Sequence, residues 1–172
     1  VYGRLQKRLD RFPIGAPPAA ALYEILKRLY TVEEAEIAAR MPITPIGLDG
    51  IARRTKKPPA ALLPILERMA DKGLVMDFVR KGKTSYVLSP TLVGFFEFAF
   101  MRVRDDIPQK EIARHMVAYA HDDPAFARSI FAGKTQVGRT LVHEAALDPE
   151  DMTRVLDYER ATHLVREAKA WA

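Results

Sequence analysis

The side chains that could carry catalytic or metal chemistry are few and widely spaced. The 172 residues include no cysteine, so they offer no thiolate metal ligand and no thiol nucleophile. The histidines, which are common general bases and zinc ligands, are His115, His121, His143 and His163. No two of them have the i, i+4 spacing that places two ligands on one helix face. The sequence therefore predicts no metal site.

Other catalytic motifs are missing as well. There is no glycine-rich phosphate loop, no Gly-x-Ser-x-Gly turn and no paired-carboxylate motif. The run His121-Asp122-Asp123 precedes Pro124 and is better explained as the start of a helix. We expect a protein that is not an enzyme, with no cofactor held by these residues.

The remaining chemistry is electrostatic and lies mainly in the first half. Residues 1–90 contain 16 Lys and Arg against 9 Asp and Glu, a net charge of +7, whereas residues 91–172 have a net charge of −2. Lys and Arg can bind nucleic-acid phosphates without reading the sequence. The candidate phosphate contacts are Lys56, Lys57, Arg68, Lys72, Arg80, Lys81 and Lys83. A positive excess of this size is equally typical of an ordinary solvated surface.

The elements that position these cations lie between Leu48 and Leu88, in the order of a winged helix-turn-helix. A short helix begins at Leu48, and Pro58-Pro59 begin a longer one that Gly73 ends. Leu74 to Val79 has the β-branched and aromatic content of a strand, and Ser85 to Leu88 returns antiparallel after a turn at residues 80–83.

The second of these helices would be the DNA-reading helix of a winged-helix protein. Its predicted inward stripe is Leu62, Ile65, Leu66 and Met69. The outward positions near its start are Ala60, Ala61, Leu63 and Pro64. Base edges are read by hydrogen bonds, and none of these side chains can make one. An outward apolar patch of this kind suits a protein partner better than DNA.

Further helices are predicted on both sides. The N-terminal ones cover 1–11 and the stripe Leu22 to Leu29, and a capping box at Thr31 and Glu34 begins a third that runs to Arg40. A Phe-rich helix is predicted from Leu92 to Arg104, too apolar for one contact face, so it would lie in a core or a dimer interface.

The C-terminal part is also predicted to be helical. Helices are expected at Pro108 to Ala120, from Pro124 to Gly133, and at Tyr158 to Trp171, with residues 135–142 extended. The fold class is thus mainly α with a small β-hairpin, an α+β protein. We expect two domains, the N-terminal helices with the winged helix at 1–90 and a helical extension at 91–172.

The chain has no apolar run of about 18 residues and no signal-peptide pattern. We therefore expect a cytoplasmic protein with no membrane partner. The absence of an initiating Met at Val1 suggests a fragment of a longer protein.

Several segments together resemble iron–sulfur proteins that place a winged-helix region before a C-terminal ferredoxin-like domain with two [4Fe-4S] clusters. The resemblance covers nearly the whole chain and depends on Leu5–Leu9, Phe12–Pro17, Ile25–Leu29, Thr31–Ala35, Ile51-Ala52, Leu66–Leu74, Leu88–Pro90, Val93–Phe98 and Val155–Ala161. It implies that the cluster-binding cysteines would begin just after Ala172. No cluster ligand can be carried onto any residue present, so [4Fe-4S] clusters are expected only in a longer protein.

Two functions follow. The first is a non-catalytic module of a ferredoxin-type electron-transfer protein that docks a partner protein or its own cluster domain, with a homodimer as an alternative assembly. The second is a DNA-binding transcriptional regulator of the MarR or ArsR type. The apolar outward face favours the first, and the basic half favours the second.

Overall fold

The structure is a computed structural model, and it describes residues 1–122, 124–132, 163, 166 and 167. The chain divides into two compact units, Val1–Gly138 and Arg139–Ala172. In the second unit, His163 Nε2 lies 3.8 Å from a carboxylate oxygen of Glu167. The expectations for residues 133–162, and most of the predicted helix at 158–171, lie outside the described residues.

The first unit is mainly helical with one small antiparallel sheet. Its helices are α1 (Tyr2–Leu9), α2 (Ala20–Leu29), α3 (Val32–Ala38), α4 (Leu48–Thr55), α5 (Pro59–Asp71), α6 (Phe96–Phe98), α7 (Gln109–His121) and α8 (Pro124–Phe131). Its strands are β1 (Ile46–Gly47), β2 (Val75–Arg80) and β3 (Lys83–Leu88). The α+β class is confirmed. Within the described residues, no helix is both long and apolar enough to cross a membrane.

Local signals in the sequence locate most of these elements correctly. The capping box is present, because Thr31 Oγ1 accepts from the Glu34 amide at 3.2 Å and the Glu34 carboxylate accepts from the Thr31 amide at 2.8 Å. Gly73 ends the α5 segment with φ +74°, and an added Cβ there would overlap Phe98. Only glycine fits that corner.

In the described part of the chain the sheet has the order β1-β3-β2, with β3 central and β2 at one edge. The hairpin closes at the pair Arg80↔Lys83 through Lys81 and Gly82, which both have positive φ. Two such residues form the tight turn whose twist matches that of the flanking strands. The predicted hairpin is confirmed, and the two-residue strand β1, which pairs with β3 at Ile46↔Tyr86, was missed by the sequence analysis.

The predicted helix from Leu92 to Arg104 is wrong. Thr91–Phe95 forms an irregular turn in which Leu92 is extended and Val93 is left-handed at φ +52°. Only the short α6 that follows is regular. Side chains at Val93, Met101 and Val103 are exposed, so the apolar residues of this stretch do not share one buried face.

A continuous hydrophobic core joins the N-terminal helices to the region after the sheet. Leu22, Ile25 and Leu29 of α2 are buried in the same cluster as Phe95 and Ile112. Tyr119 of α7 donates its hydroxyl to the carbonyl of Pro17 at 2.8 Å. The predicted boundary at residue 90 therefore lies inside one core.

Candidate functional site

Helix α5 has one buried face and one solvent-facing face, divided as the sequence predicts. The inward positions Leu62, Ile65, Leu66 and Met69 are all buried. Ala60, Ala61, Leu63 and Pro64 are all exposed, and the Leu63 side chain retains 38% of its accessible surface. We call these four residues the α5 outer face. Its side chains contain no hydrogen-bonding atom, so their contacts can only be apolar.

Pro64 removes one hydrogen bond from the helix that carries the α5 outer face. It lies within a continuous helix from Pro59 to Asp71 and has no N–H to donate to the carbonyl of Ala60. Pro58 adopts an extended backbone as the N-cap residue, and Pro59 follows at the first helical position, where proline is well tolerated. The face therefore begins at a proline-defined helix start and includes one interior position without a helical hydrogen bond.

The candidate phosphate contacts occupy different environments. Lys56 is exposed at the left-handed C-terminus of α4, with φ +58°. Lys57 Nζ lies 2.7 Å from a carboxylate oxygen of Glu33, and about a third of its side chain stays exposed. Arg68 is half exposed and lies 3.5 Å from Glu34. These cations reach solvent, but Lys57 and Arg68 are already close to carboxylates.

Lys72 is a correction to the predicted set. Its side chain is buried, and its Nζ donates to Glu34 Oε2 at 2.6 Å and to the carbonyl of Leu29 at 2.9 Å. A charge that is buried and fully engaged in this way cannot also reach a phosphate. The physical reason is that Lys72 follows α5 on the side that faces α2 and α3, whereas the sequence pattern placed it outward.

The tip of the hairpin carries the remaining predicted cations. Arg80, Lys81 and Lys83 are exposed, and none of them forms an ion pair with another residue in the part of the chain that the structure describes. We call these three residues the wing cations. They are free to meet an anionic partner.

A second basic cluster was not singled out from the sequence. Burial lowers the pKa of Arg8 of α1, and repulsion from the guanidinium groups of Arg11 and Arg54 lowers it further. Its Nε donates to the carbonyl of Ala39 at 3.1 Å. The sequence showed a basic first helix, but not that α4 would bring Arg54 close to it.

The described residues contain no cluster of three or more His, Asp or Glu side chains arranged to hold a metal ion. His115 and His121 both lie on α7, with His121 exposed at its end. His143 lies outside the described residues.

The chain was compared with known proteins in three ways. No protein-family model matches it, and neither a curated protein nor a solved structure matches it.

Proposed function

We propose that this chain is a non-catalytic winged-helix interaction module whose α5 outer face docks a protein surface. The element order α4, α5, β2, β3, with β1 joining the sheet beside β3, supports the winged-helix assignment. In that fold α5 occupies the place of the DNA-reading helix. The docked partner is another protein or a further domain of the same protein.

The observation that carries the proposal is the chemistry of the α5 outer face. A helix that reads bases needs donors and acceptors near its N-terminus, and Ala60, Ala61, Leu63 and Pro64 offer neither. Covering these side chains removes apolar surface from water, which stabilises a protein–protein contact. Arg68, farther along α5, lies near Glu34 and suits the polar rim of such a contact.

The resemblance to iron–sulfur proteins suggests what the module would serve. In that setting it would dock a redox partner or a ferredoxin-like domain with [4Fe-4S] clusters, and electron transfer would belong to that domain. No residue of this chain is assigned to a cluster.

The test is site-specific photo-crosslinking from position 63 in cells of the native host. We expect a discrete crosslinked protein, and we expect Leu63→Glu to abolish the complex, because the added carboxylate would lose its solvation in the contact. The matched control places the crosslinker at Val117, an exposed apolar residue of α7. Equal crosslinking from both positions, or a complex unaffected by Leu63→Glu in a folded protein, would contradict the proposal.

A second candidate is a nucleic-acid-binding regulator, favoured by the wing cations and the Arg8–Arg54 cluster. Because the available contacts are to phosphate and not to bases, we expect weak, salt-sensitive binding with little preference for sequence. Labelled duplexes of random and genomic sequence, titrated at two salt concentrations, measure this. A preference of about a thousandfold for one sequence, the lower limit of specific binders, would establish the regulator instead. Replacing Lys81 and Lys83 with Ala should then weaken binding more than Leu63→Glu does.

A further inference from the structure

Strand β2 has one edge that no other described strand covers. Among the residues that the structure describes, the strand order β1-β3-β2 gives β2 a neighbour on one side only. In an antiparallel pair, alternate residues direct their backbone N–H and C=O groups toward the partner strand. The intervening residues direct theirs to the outer edge, where they can bind another strand.

The register identifies which residues present this edge. Ser89 donates its amide to the carbonyl of Leu74 at 3.1 Å, which extends the Val75↔Leu88 register by one bonded pair. The bonded positions of β2 are therefore 76, 78 and 80, in agreement with the hairpin closing at Arg80↔Lys83. The backbone N–H and C=O groups of Asp77 and Val79 therefore point to the outer edge. Both residues are exposed, and these backbone groups have no partner among the described residues.

A groove runs beside this edge. On one side it is lined by Val75 to Phe78, and on the other by Phe98, Met101 and Arg102. Its volume is about 380 Å³, and Phe78 and Met101 remain 49% and 74% exposed. Such a groove can hold an apolar side chain of a strand that pairs with β2.

Charge indicates what kind of strand would fit. The edge ends at the wing cations Arg80, Lys81 and Lys83, which have no carboxylate partner among the described residues. Asp71, which lines the groove, is already engaged by Arg102 at 3.6 Å and by Arg104 at 2.7 Å. Asp77 on the same strand is also exposed and has no ion pair among the described residues, so three cations outweigh one carboxylate and the excess charge near the hairpin end is positive.

We propose that β2 binds an extended segment of a partner protein by strand addition. The segment would place an apolar side chain in the groove and acidic side chains beside the wing cations. The backbone of Asp77 and Val79 would supply hydrogen bonds, and the groove and the cations would supply selectivity. This surface does not include the α5 outer face, so the inference goes beyond the proposed function and does not depend on it.

The test uses the full chain and short labelled peptides of alternating valine and threonine. Two of the peptides carry a pair of glutamates, at the N-terminal end in one and at the C-terminal end in the other, to allow for either strand direction. Two control peptides carry lysines at the same positions. We expect a glutamate peptide to bind and the lysine peptides not to bind. In the variant Val79→Pro, which removes an outward N–H without touching the β2–β3 ladder, binding should be weaker than in the matched Val79→Ala by about tenfold, the effect of losing one hydrogen bond.

Further variants keep the result interpretable. Met101→Lys places a charge in the groove at an exposed position and should also abolish peptide binding, even if Val79→Pro fails to fold. Leu63→Glu should leave peptide binding unchanged, which separates this surface from the α5 outer face. The inference is overturned if neither glutamate peptide binds, if the lysine peptides bind as well, or if a folded Val79→Pro variant binds like Val79→Ala. Self-association in sedimentation that Val79→Pro abolishes, without peptide binding, would assign the edge to a second copy instead.

Discussion

At the scale of single residues, the Glu34 carboxylate is the most consequential group. It is fully buried and accepts hydrogen bonds from Lys72 at 2.6 Å and from the Thr31 amide at 2.8 Å. Its Oε1 has no hydrogen-bond partner in the described part of the chain and lies 3.5 Å from Arg68 Nε. The pair therefore ties α3 to the C-terminal end of α5.

Removing the cation of this pair should be costly. Lys72→Met leaves a buried carboxylate with fewer partners, and breaking a buried pair in this way costs about 3 kcal/mol of unfolding free energy. The matched control is Lys57→Met, since Lys57 pairs with Glu33 at a partly exposed site, and surface pairs contribute about 1 kcal/mol or less. Urea denaturation of both variants measures the difference. Equal losses would mean that the Glu34–Lys72 pair is no stronger than a surface contact.

The same carboxylate makes stability depend on pH. Burial raises the pKa of Glu34, but the hydrogen bonds from Lys72 and Thr31 outweigh burial, and the pKa lies below its usual value in the folded protein. The unfolded chain therefore takes up this proton first, so the stabilisation is present above the unfolded pKa of about 4.3 and is lost as pH falls through the lower folded pKa.

Glu34→Gln tests this linkage. We expect the variant to be less stable than wild type at pH 7 and to lose less further stability on acidification below about pH 4.3. Urea midpoints across this range, measured for both proteins under the same conditions, give the comparison. Parallel curves for the two proteins would contradict the assignment of this titration to Glu34.

At the scale of elements, the stretch after the sheet differs most from expectation. The turn at Thr91–Phe95 is held by two polar contacts, from Thr91 Oγ1 to the carbonyl of Gly15 at 2.8 Å and from the Gly94 amide to Glu97 at 2.9 Å. It directs Phe95 toward Tyr30, with ring centroids 6.4 Å apart. Phe96 packs edge-on against Tyr119 at 6.2 Å.

Phe96 should therefore contribute to stability although its helix is short. It is half buried and packs against Phe95, Tyr119 and Phe126. We expect Phe96→Ala to cost about 2 to 3 kcal/mol, somewhat below the value for a fully buried Phe. The control is Phe100→Ala, because Phe100 is exposed and should cost much less. Chemical denaturation ranks the two, and a reversed order would show that the aromatic cluster is not where the stability lies.

The elements show which sequence signals predict structure and which do not. Helix α5, the capping box at Thr31 and the hairpin are specified by local chemistry, namely proline at a helix start, a paired cap and turn residues, and all were predicted. Strand β1 has two residues and exists only because β3 lies beside it, so no local pattern marks it. The Leu92 to Arg104 stretch has apolar residues at helical spacing, but the tertiary hydrogen bond from Thr91 to Gly15, the local one from Gly94 to Glu97 and the left-handed Val93 override that pattern.

The candidate site was predictable to a similar degree. The α5 outer face follows from helical periodicity, and the exposed side chains agree with it. Lys72 was assigned to solvent because the sequence could not show that Glu34, 38 residues earlier, would lie within reach of it. The groove beside β2 depends on Phe98 and Met101 approaching a strand edge, which only the folded chain reveals.

At the scale of the whole molecule, α2, which precedes the sheet in the sequence, packs against α7, which follows it. Arg28 bonds to Glu24 at 2.7 Å within α2 and to Glu111 of α7 at 2.9 Å. Hydrogen bonds from Lys27 and Arg28 lower the pKa of Glu24 to about 2. The apolar face of α2 is therefore covered by α7, which follows residue 90 in the sequence.

This arrangement predicts how truncation would act. Residues 1–90 alone should lack the cover that α7 gives to Leu22, Ile25 and Leu29, so we expect them to unfold without a cooperative transition and to bind a hydrophobic dye. Residues 1–132 should unfold cooperatively. Thermal denaturation followed by circular dichroism compares the two fragments. A sharp transition in the shorter fragment would make residues 1–90 an independent domain.

The hydrogen bond from Tyr119 to Pro17 also has a consequence for folding during translation. Those residues are 102 positions apart, and synthesis at about 5 to 20 residues per second separates their appearance by roughly 5 to 20 seconds. For that time α2 has left the ribosome while its covering helix does not yet exist. Exposed Leu and Ile side chains of a nascent chain are what chaperones recognise, so the cellular yield of this protein should depend on chaperone supply during translation.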